Sequence, residues 1–315
     1  MRIKVAVTGD EWSNREEVLA NLQQIHSCDQ LIFEVNTEGP SLHALGFVDA
    51  VEAVLDRIGI KNQDVYIDQW HNPVEEIPFK RFREPGLSHF FWMSNSYRFQ
   101  PADQRPMTHA FGLFIGRVTA DRAVILFDVC HDPILNALTS LMKDSVLPMN
   151  SQEKLLPWSD FAVPQQVQDW IINNAPPSIT GHEVRDQYSP NINTNAELVK
   201  HYNRFGLEIV CETYCIGDAF FPTEKTVRPI SQNKAMVVYG PKGYLGRLRQ
   251  LGFQTWHDIW DETYDEFSGP ERWHRMKQVL RDIANKHLWQ HDQVLARARD
   301  NVQVLEQLIQ RYQPQ

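Results

Sequence analysis

The sequence predicts an α/β protein made of two halves, each a parallel sheet covered by helices. Three observations lead there. Runs of β-branched residues alternate with helix-period runs from the first residues onward. The same alternation restarts near residue 106, after an irregular stretch. The strand-like runs end in Gly-containing or polar turns, as strands feeding crossover helices do.

Taken in order, "IKVAVTG" reads as a strand, "REEVLANLQQI" as a helix and "QLIFEVN" as a second strand. "TEGPSLHALG" is a turn-rich loop, "FVDAVEAVLDRIG" a helix and "DVYIDQW" a third strand. Residues 71–106 are irregular and carry the basic run "FKRFREP" and the aromatic run "HFFWMSNSYRF". The second series opens with the strand "AFGLFIG" and the helix "DRAVILFDVC". Residues 146–180, which contain Pro and Ser, show no periodic organisation. The helix "NAELVKHYNRF" then leads into the strand "LEIVCETY", a helix starting at Thr223, and the strand "KAMVVYG". Glu271 to Tyr312 contains neither Gly nor Pro and repeats apolar residues at helical spacing. One helix of that length would run about 60 Å, too long for the domain. At least two helices are expected, the last crossing back to the first half. The expected domains are 1–105, 106–290 and a C-terminal helix over 291–315.

Composition bounds the function. With 42% hydrophobic and 23% charged residues the chain is globular in type, and its formal charge of −9 argues against gripping a phosphate backbone as its main task. No apolar run approaches the roughly 18–20 residues that span a bilayer. The start "MRIKVAVTGD" is a strand and turn without a signal-peptide core, so a cytoplasmic protein is expected (the host cytoplasm, were the source viral). Cys28, Cys130, Cys211 and Cys215 match neither zinc nor redox spacing and read as buried thiols.

The segment "AFFPTEKTVRPIS" carries the most chemistry. A lysine just inside a helix start opposes the macrodipole, so Lys225 points to a bound anion, which helix N-termini favour. The plain alternative is that Glu224 and Lys225 are solvated first-turn residues. "YGPKGYLGRLRQLG" could bring backbone N–H groups to a phosphate, but it lacks the P-loop and dinucleotide patterns, and a strand–turn–helix corner explains it equally well. "TWHDIWDETYDEF" reads as a solvated acidic face over an aromatic core rather than a metal site. Arg117 and Arg122 follow the strand that opens the second half, where arginine suits bidentate phosphate contact. His131 and Asp132 form a possible base–orienter pair, and Glu38 is a carboxylate on the loop after the second strand.

Three pieces in order, "GLFIGRVTADRAVIL", "LEIVCETY…FFPTEKTVRPI" and "AMVVYGPKGYLGRLRQLGF", resemble the nucleotide-binding half of the α1,3-fucosyltransferase-like glycosyltransferases. They are closer still to compact relatives from phage and environmental sequences. The resemblance covers roughly residues 110–130 and 205–265. It implies a GT-B-like arrangement, two Rossmann-like domains facing across a cleft, and inverting sugar transfer from a nucleotide-diphosphate sugar. It places the pyrophosphate-binding Arg on Arg122, the ribose-binding Glu on Glu224, the phosphate-binding Lys on Lys225 and an aromatic on Phe221. The family's Phe-Glu-Asn strand end is "CET" here, so Glu212 matches but Thr213 replaces the Asn. That departure leaves donor base and sugar open, with GDP-sugar favoured over UDP-sugar.

A lysine and a helix N-terminus can stabilise a departing diphosphate in place of a metal ion, in keeping with the missing Asp-x-Asp. No cofactor beyond the donor substrate is implied. Inversion needs a general base from the facing domain; Glu38 is the expected one, with Asp128, His131 and Asp132 as lesser candidates. The acceptor stays open among glycan, lipid-linked sugar, protein and modified DNA base. The competing reading is a non-catalytic nucleotide-, saccharide- or DNA-binding module derived from such a transferase.

Overall fold

A computed structural model describes residues 2–8, 14–25, 29–36, 42, 46–59, 61, 65–69, 78–81, 107–116, 118–141, 161–177, 198–212, 215, 217 and 220–312. It is an α/β structure that divides into two compact units. One is Met1–His89 with Ile216–Phe221; the other is Phe90–Cys215 with Pro222–Gln315.

In the first unit, strands β1 (Arg2–Thr8), β2 (Gln30–Asn36), β3 (Val65–Gln69) and β4 (Lys80–Arg81) form a parallel sheet in the order β1-β2-β3-β4. Helices α1 (Arg15–Gln23) and α2 (Phe47–Ile58) are the crossovers. Leu31, Ile32, Phe33 and Val35 are all buried, while Glu34 between them is part-exposed and pairs with Lys4. Phe47 meets Phe33 edge to face at 5.1 Å. The helix α2 stops at Gly59, whose φ of 70° is open to glycine without strain.

The second unit contains β5 (His109–Ile115), α3 (Ala120–His131), β6 (Ala137–Leu141), α4 (Gln165–Asn174), β7 (Phe205–Cys211), α5 (Glu224–Ser231), β8 (Ala235–Tyr239) and α6 (Tyr244–Gln250). Two longer helices follow, α7 (Gly269–Asn285) and α8 (Asp292–Tyr312). The sheet is parallel with order β6-β5-β7-β8. The chain leaves β5 toward β6 and returns on the other side of β5 as β7. Strand order therefore reverses between β5 and β7, and the crevice beyond their carboxyl ends is where open α/β sheets hold ligands.

One expectation is corrected here and another is met. Residues 146–180, which showed no periodic organisation, include α4, which starts directly after Pro164 where the missing proline N–H is harmless. The C-terminal region does break into two helices, at His287 with φ 51° and a short 3-10 turn. The last, α8, belongs to the second unit and packs on α5 and β8. Its buried stripe of Val294, Ala298, Leu305 and Ile309 seats it there, and the buried Asn301 amide exchanges two 2.8 Å hydrogen bonds with the Gln254 backbone.

Gly206 shows how tightly β7 is covered. A Cβ there would lie 2.5 and 2.8 Å from Trp289 ring atoms and 3.0 Å from the Ala110 carbonyl oxygen. Gly206→Ala should destabilise the protein by about 1–3 kcal/mol. Urea unfolding checks this, and Trp289→Leu in the same chain should recover much of the loss.

Candidate functional site: the helix start beyond β7

The carboxyl ends of β5 and β7 receive two helix starts, α3 and α5. Arg122, in the first turn of α3, is 2% exposed and donates from Nη2 to the Cys211 carbonyl at the end of β7, at 2.9 Å. It ties one side of the switch point to the other. One residue further on, Glu212 is wholly buried. Its Oε1 accepts from the Thr223 N–H (3.1 Å), the Thr226 hydroxyl (2.6 Å) and the Tyr244 hydroxyl (2.9 Å). Its Oε2 accepts from the Thr223 hydroxyl at 2.5 Å.

Four donors on a buried carboxylate stabilise its charge, which would otherwise be costly without water. They also fix where α5 begins. Thr223 is the N-cap expected from the sequence: its hydroxyl accepts from the Lys225 N–H at 3.3 Å. The far end of α5 is held as well. Arg228 is buried against Glu208 of β7, with the Tyr202 hydroxyl bonded to both. Burial pushes the Glu208 carboxyl up, with Arg228 opposing.

Lys225 and Glu224 sit together at this start. The ammonium lies 2.6 Å from Glu224 and 3.3 Å from the Thr223 hydroxyl, with the two side chains 13% and 21% exposed. Burial pushes the Glu224 carboxyl up, but Lys225, the Arg228 charge and a backbone hydrogen bond together outweigh it and hold the group at about 2. Burial lowers the Lys225 pKa, and Glu224 opposes that while the charge of nearby Arg122 adds to it. So Arg122, Glu212, Glu224 and Lys225 share one electrostatic neighbourhood at the strand ends.

Their exposures divide the labour differently from the sequence expectation. Glu212, assigned a donor contact, faces inward with both oxygens engaged. Arg122 acts on the Lys225 ammonium through its charge. Phe221, the expected aromatic, is 8% exposed and groups with the first unit. Glu224 and Lys225 keep some accessible surface.

The remaining candidates are held in structural pairs. Asp128 accepts from the Trp273 indole at 2.8 Å and the Lys277 ammonium at 2.7 Å. Asp132 pairs with Arg281 at 2.6 Å and accepts from the Ile134 N–H at 3.1 Å. His131 stacks on Phe127, with centroids 4.0 Å apart, and its Nδ1 lies 2.8 Å from the Phe127 carbonyl. Asp128 and Asp132 thus bolt α3 to α7. Glu38 and Arg117 lie outside the described residues.

The acidic segment needs correction too. Its acids are used singly. Asp258 pairs with Arg297, Glu262 accepts from the Trp256 N–H (2.7 Å), and Asp265 pairs with Arg272 (2.8 Å). Glu262 and Asp265 are buried, so the solvated-face reading fails for them. Cys211 and Cys215 are buried as expected, while Cys130 is exposed. Among the described residues, no group of three or more His, Cys, Asp or Glu is placed to hold a metal ion.

Sequence reasoning missed Tyr244, Thr226 and the Tyr202–Glu208–Arg228 set. The available signals were a tyrosine opening the helix after a glycine turn and an arginine inside an otherwise buried helix. Compared with family models, curated proteins and solved structures, the chain matched nothing.

The depressed Glu224 carboxyl sets a pH dependence. Its folded value, about 2, lies below the ordinary 4.5. The stability it contributes is complete above the ordinary value and is lost as pH falls from about 5 toward 2. Glu224→Gln should therefore cost about 2 kcal/mol at pH 7, and the difference from wild type should vanish by about pH 2. Chemical denaturation across that range measures it.

Proposed function

We propose that this protein is a glycosyltransferase that moves a sugar from a nucleotide-diphosphate sugar to an acceptor hydroxyl with inversion. The observation that carries the reading is a partly accessible lysine at a helix start beyond a parallel-sheet switch point, held in place by a buried carboxylate. A leaving nucleoside diphosphate gathers negative charge on its phosphate oxygens. A lysine, the N–H groups of a helix start and a nearby arginine stabilise that charge as it develops, because they are oriented before the reaction begins. Glu224 would turn from Lys225 to the ribose hydroxyls when the donor enters. The ammonium would then meet the diphosphate, with the charge of Arg122 adding to it.

The resemblance to the fucosyltransferase-like family supports the same assignment and favours a GDP-sugar, with a UDP-sugar next. It also supports a GT-B-like arrangement, in which the first unit faces the donor and Glu38 removes the acceptor proton. A glycan or a modified DNA base would serve as acceptor. Because Lys225 and the helix start supply the positive charge, turnover is expected to need no divalent cation.

Two measurements test the reading. Lys225→Ala should weaken GDP or UDP binding by calorimetry and lower transfer or donor hydrolysis about a hundredfold. Unchanged nucleotide affinity would remove Lys225 from the site. Glu38→Gln keeps size and hydrogen bonding but removes basicity. It should lower turnover by roughly two to four orders of magnitude and leave donor affinity nearly intact. Near-normal turnover would take the base role from Glu38. Nucleotide binding without transfer or hydrolysis would favour a non-catalytic binding module.

A further inference from the structure

The glycine turn after β8 has no part in the assignment above, yet the structure joins it to Lys225. Tyr244 opens α6 directly after Gly240–Gly243 and is 1% exposed. Its hydroxyl donates to Glu212 Oε1 at 2.9 Å and lies 2.7 Å from the Thr226 hydroxyl. Glu212 Oε2 in turn accepts from Thr223, and the Thr223 hydroxyl oxygen accepts from both nitrogens of Lys225 at 3.3 Å. The path from Tyr244 to the Lys225 ammonium thus consists of side-chain hydrogen bonds alone. Burial and the Glu212 charge push the Tyr244 phenol far up, so it stays a donor.

Gly240 is the other end of this arrangement. A Cβ there would lie 3.1, 3.3 and 3.6 Å from atoms of the Tyr244 ring. The tyrosine ring lies against the turn, and only a residue without a side chain lets it do so without displacement. This accounts for the Gly and Tyr of "YGPKGY" without a phosphate cradle.

We propose that Gly240 and Tyr244 are positioning residues for Lys225: through Glu212 and Thr223 they fix the start of α5 and the direction of the lysine ammonium. In what the ammonium then binds, this inference rests on the donor reading; in how the lysine is held, it does not.

The phenol matters in two ways. It is one of the four donors on a buried carboxylate, so its removal leaves Glu212 Oε1 short of a partner and free to draw Thr226 or Thr223 out of place. It also couples α6 to α5, two helices that leave successive strands. A positioning group of this kind alters a catalytic step by displacing a charge through fractions of an ångström.

The test follows the Lys225 side chain directly, in protein labelled with 13C and 15N at lysine, by NMR of its Cε–Nζ pair. The signal is assigned by its absence in Lys225→Arg. Tyr244→Phe keeps the ring and removes the hydroxyl. It should shift the Lys225 signal, move its titration, and weaken GDP or UDP binding about tenfold, with the fold retained by circular dichroism. Gly240→Ala should shift the same signal in a chain that keeps every hydroxyl, which a role confined to the hydroxyl itself would not do. A Lys225 signal and nucleotide affinity that both match wild type in Tyr244→Phe would overturn the proposal. Should Tyr244→Phe fail to fold, Gly240→Ala and Thr226→Val are read by the same criterion, and wild-type signals in both would overturn it. A shifted Lys225 signal in a protein that binds neither GDP nor UDP would uphold the positioning role and sink the donor reading.

Discussion

A carboxylate without water around it must be surrounded by donors, and Glu212 is in that position at the end of the central strand β7. Its four hydrogen bonds come from Thr223, Thr226 and Tyr244, on two helices that start after different strands. Breaking any one of them exposes the others to the cost of an under-served buried charge. The start of α5, the seat of α6 and the turn between them are therefore tied to one side chain. Lys225 and Glu224, the accessible charges of the site, project from the helix start that this side chain defines.

The same device appears a second time in the unit. Asp265 is buried, and its Oδ2 accepts from the Leu245 N–H at 2.9 Å and the Gly246 N–H at 3.4 Å, capping α6 from outside the helix. Its other oxygen pairs with Arg272, fully buried on α7, which also donates to the carbonyls of Val238 and Pro241. Each of these helix starts thus rests on an acid supplied from elsewhere in the chain. At the opposite end of α5, Arg228 and Glu208 complete the clamp with Tyr202. The rigid parts are the helix starts and strand ends, and a preorganised cation is most useful where it cannot relax away from developing charge.

Part of the site could be read from the chain because its signals are local. Thr223 caps the helix, and Glu224 and Lys225 follow it within one turn. An N-cap and a first-turn charge are defined by neighbours in sequence. The same holds for the strands β1, β2, β3, β5, β7 and β8, whereas β4 lay in a stretch read as irregular and β6 went unread. The two C-terminal helices were expected from length alone. Glu212 was visible only as a match to a motif, and its direction could not be read: an acid at a strand end looks the same whether it faces a ligand or a helix start. Asp265 was misjudged for the same reason, since a run of acids reads as solvated until an arginine seven residues away is seen to fold back on it.

The sequence by itself determined the α/β class, most of the parallel strands and their crossover helices, and a capped helix start carrying Glu224 and Lys225. All of these follow from periodicity and capping within a few residues. The tertiary structure alone decided the strand order β6-β5-β7-β8, the burial of Arg122 against Cys211, and the meeting of Glu212 with Tyr244 across 32 residues of chain. The physical reason is that strand order is set by which faces pack and which loops close. A side chain's partners across those loops exist only once the sheet has formed.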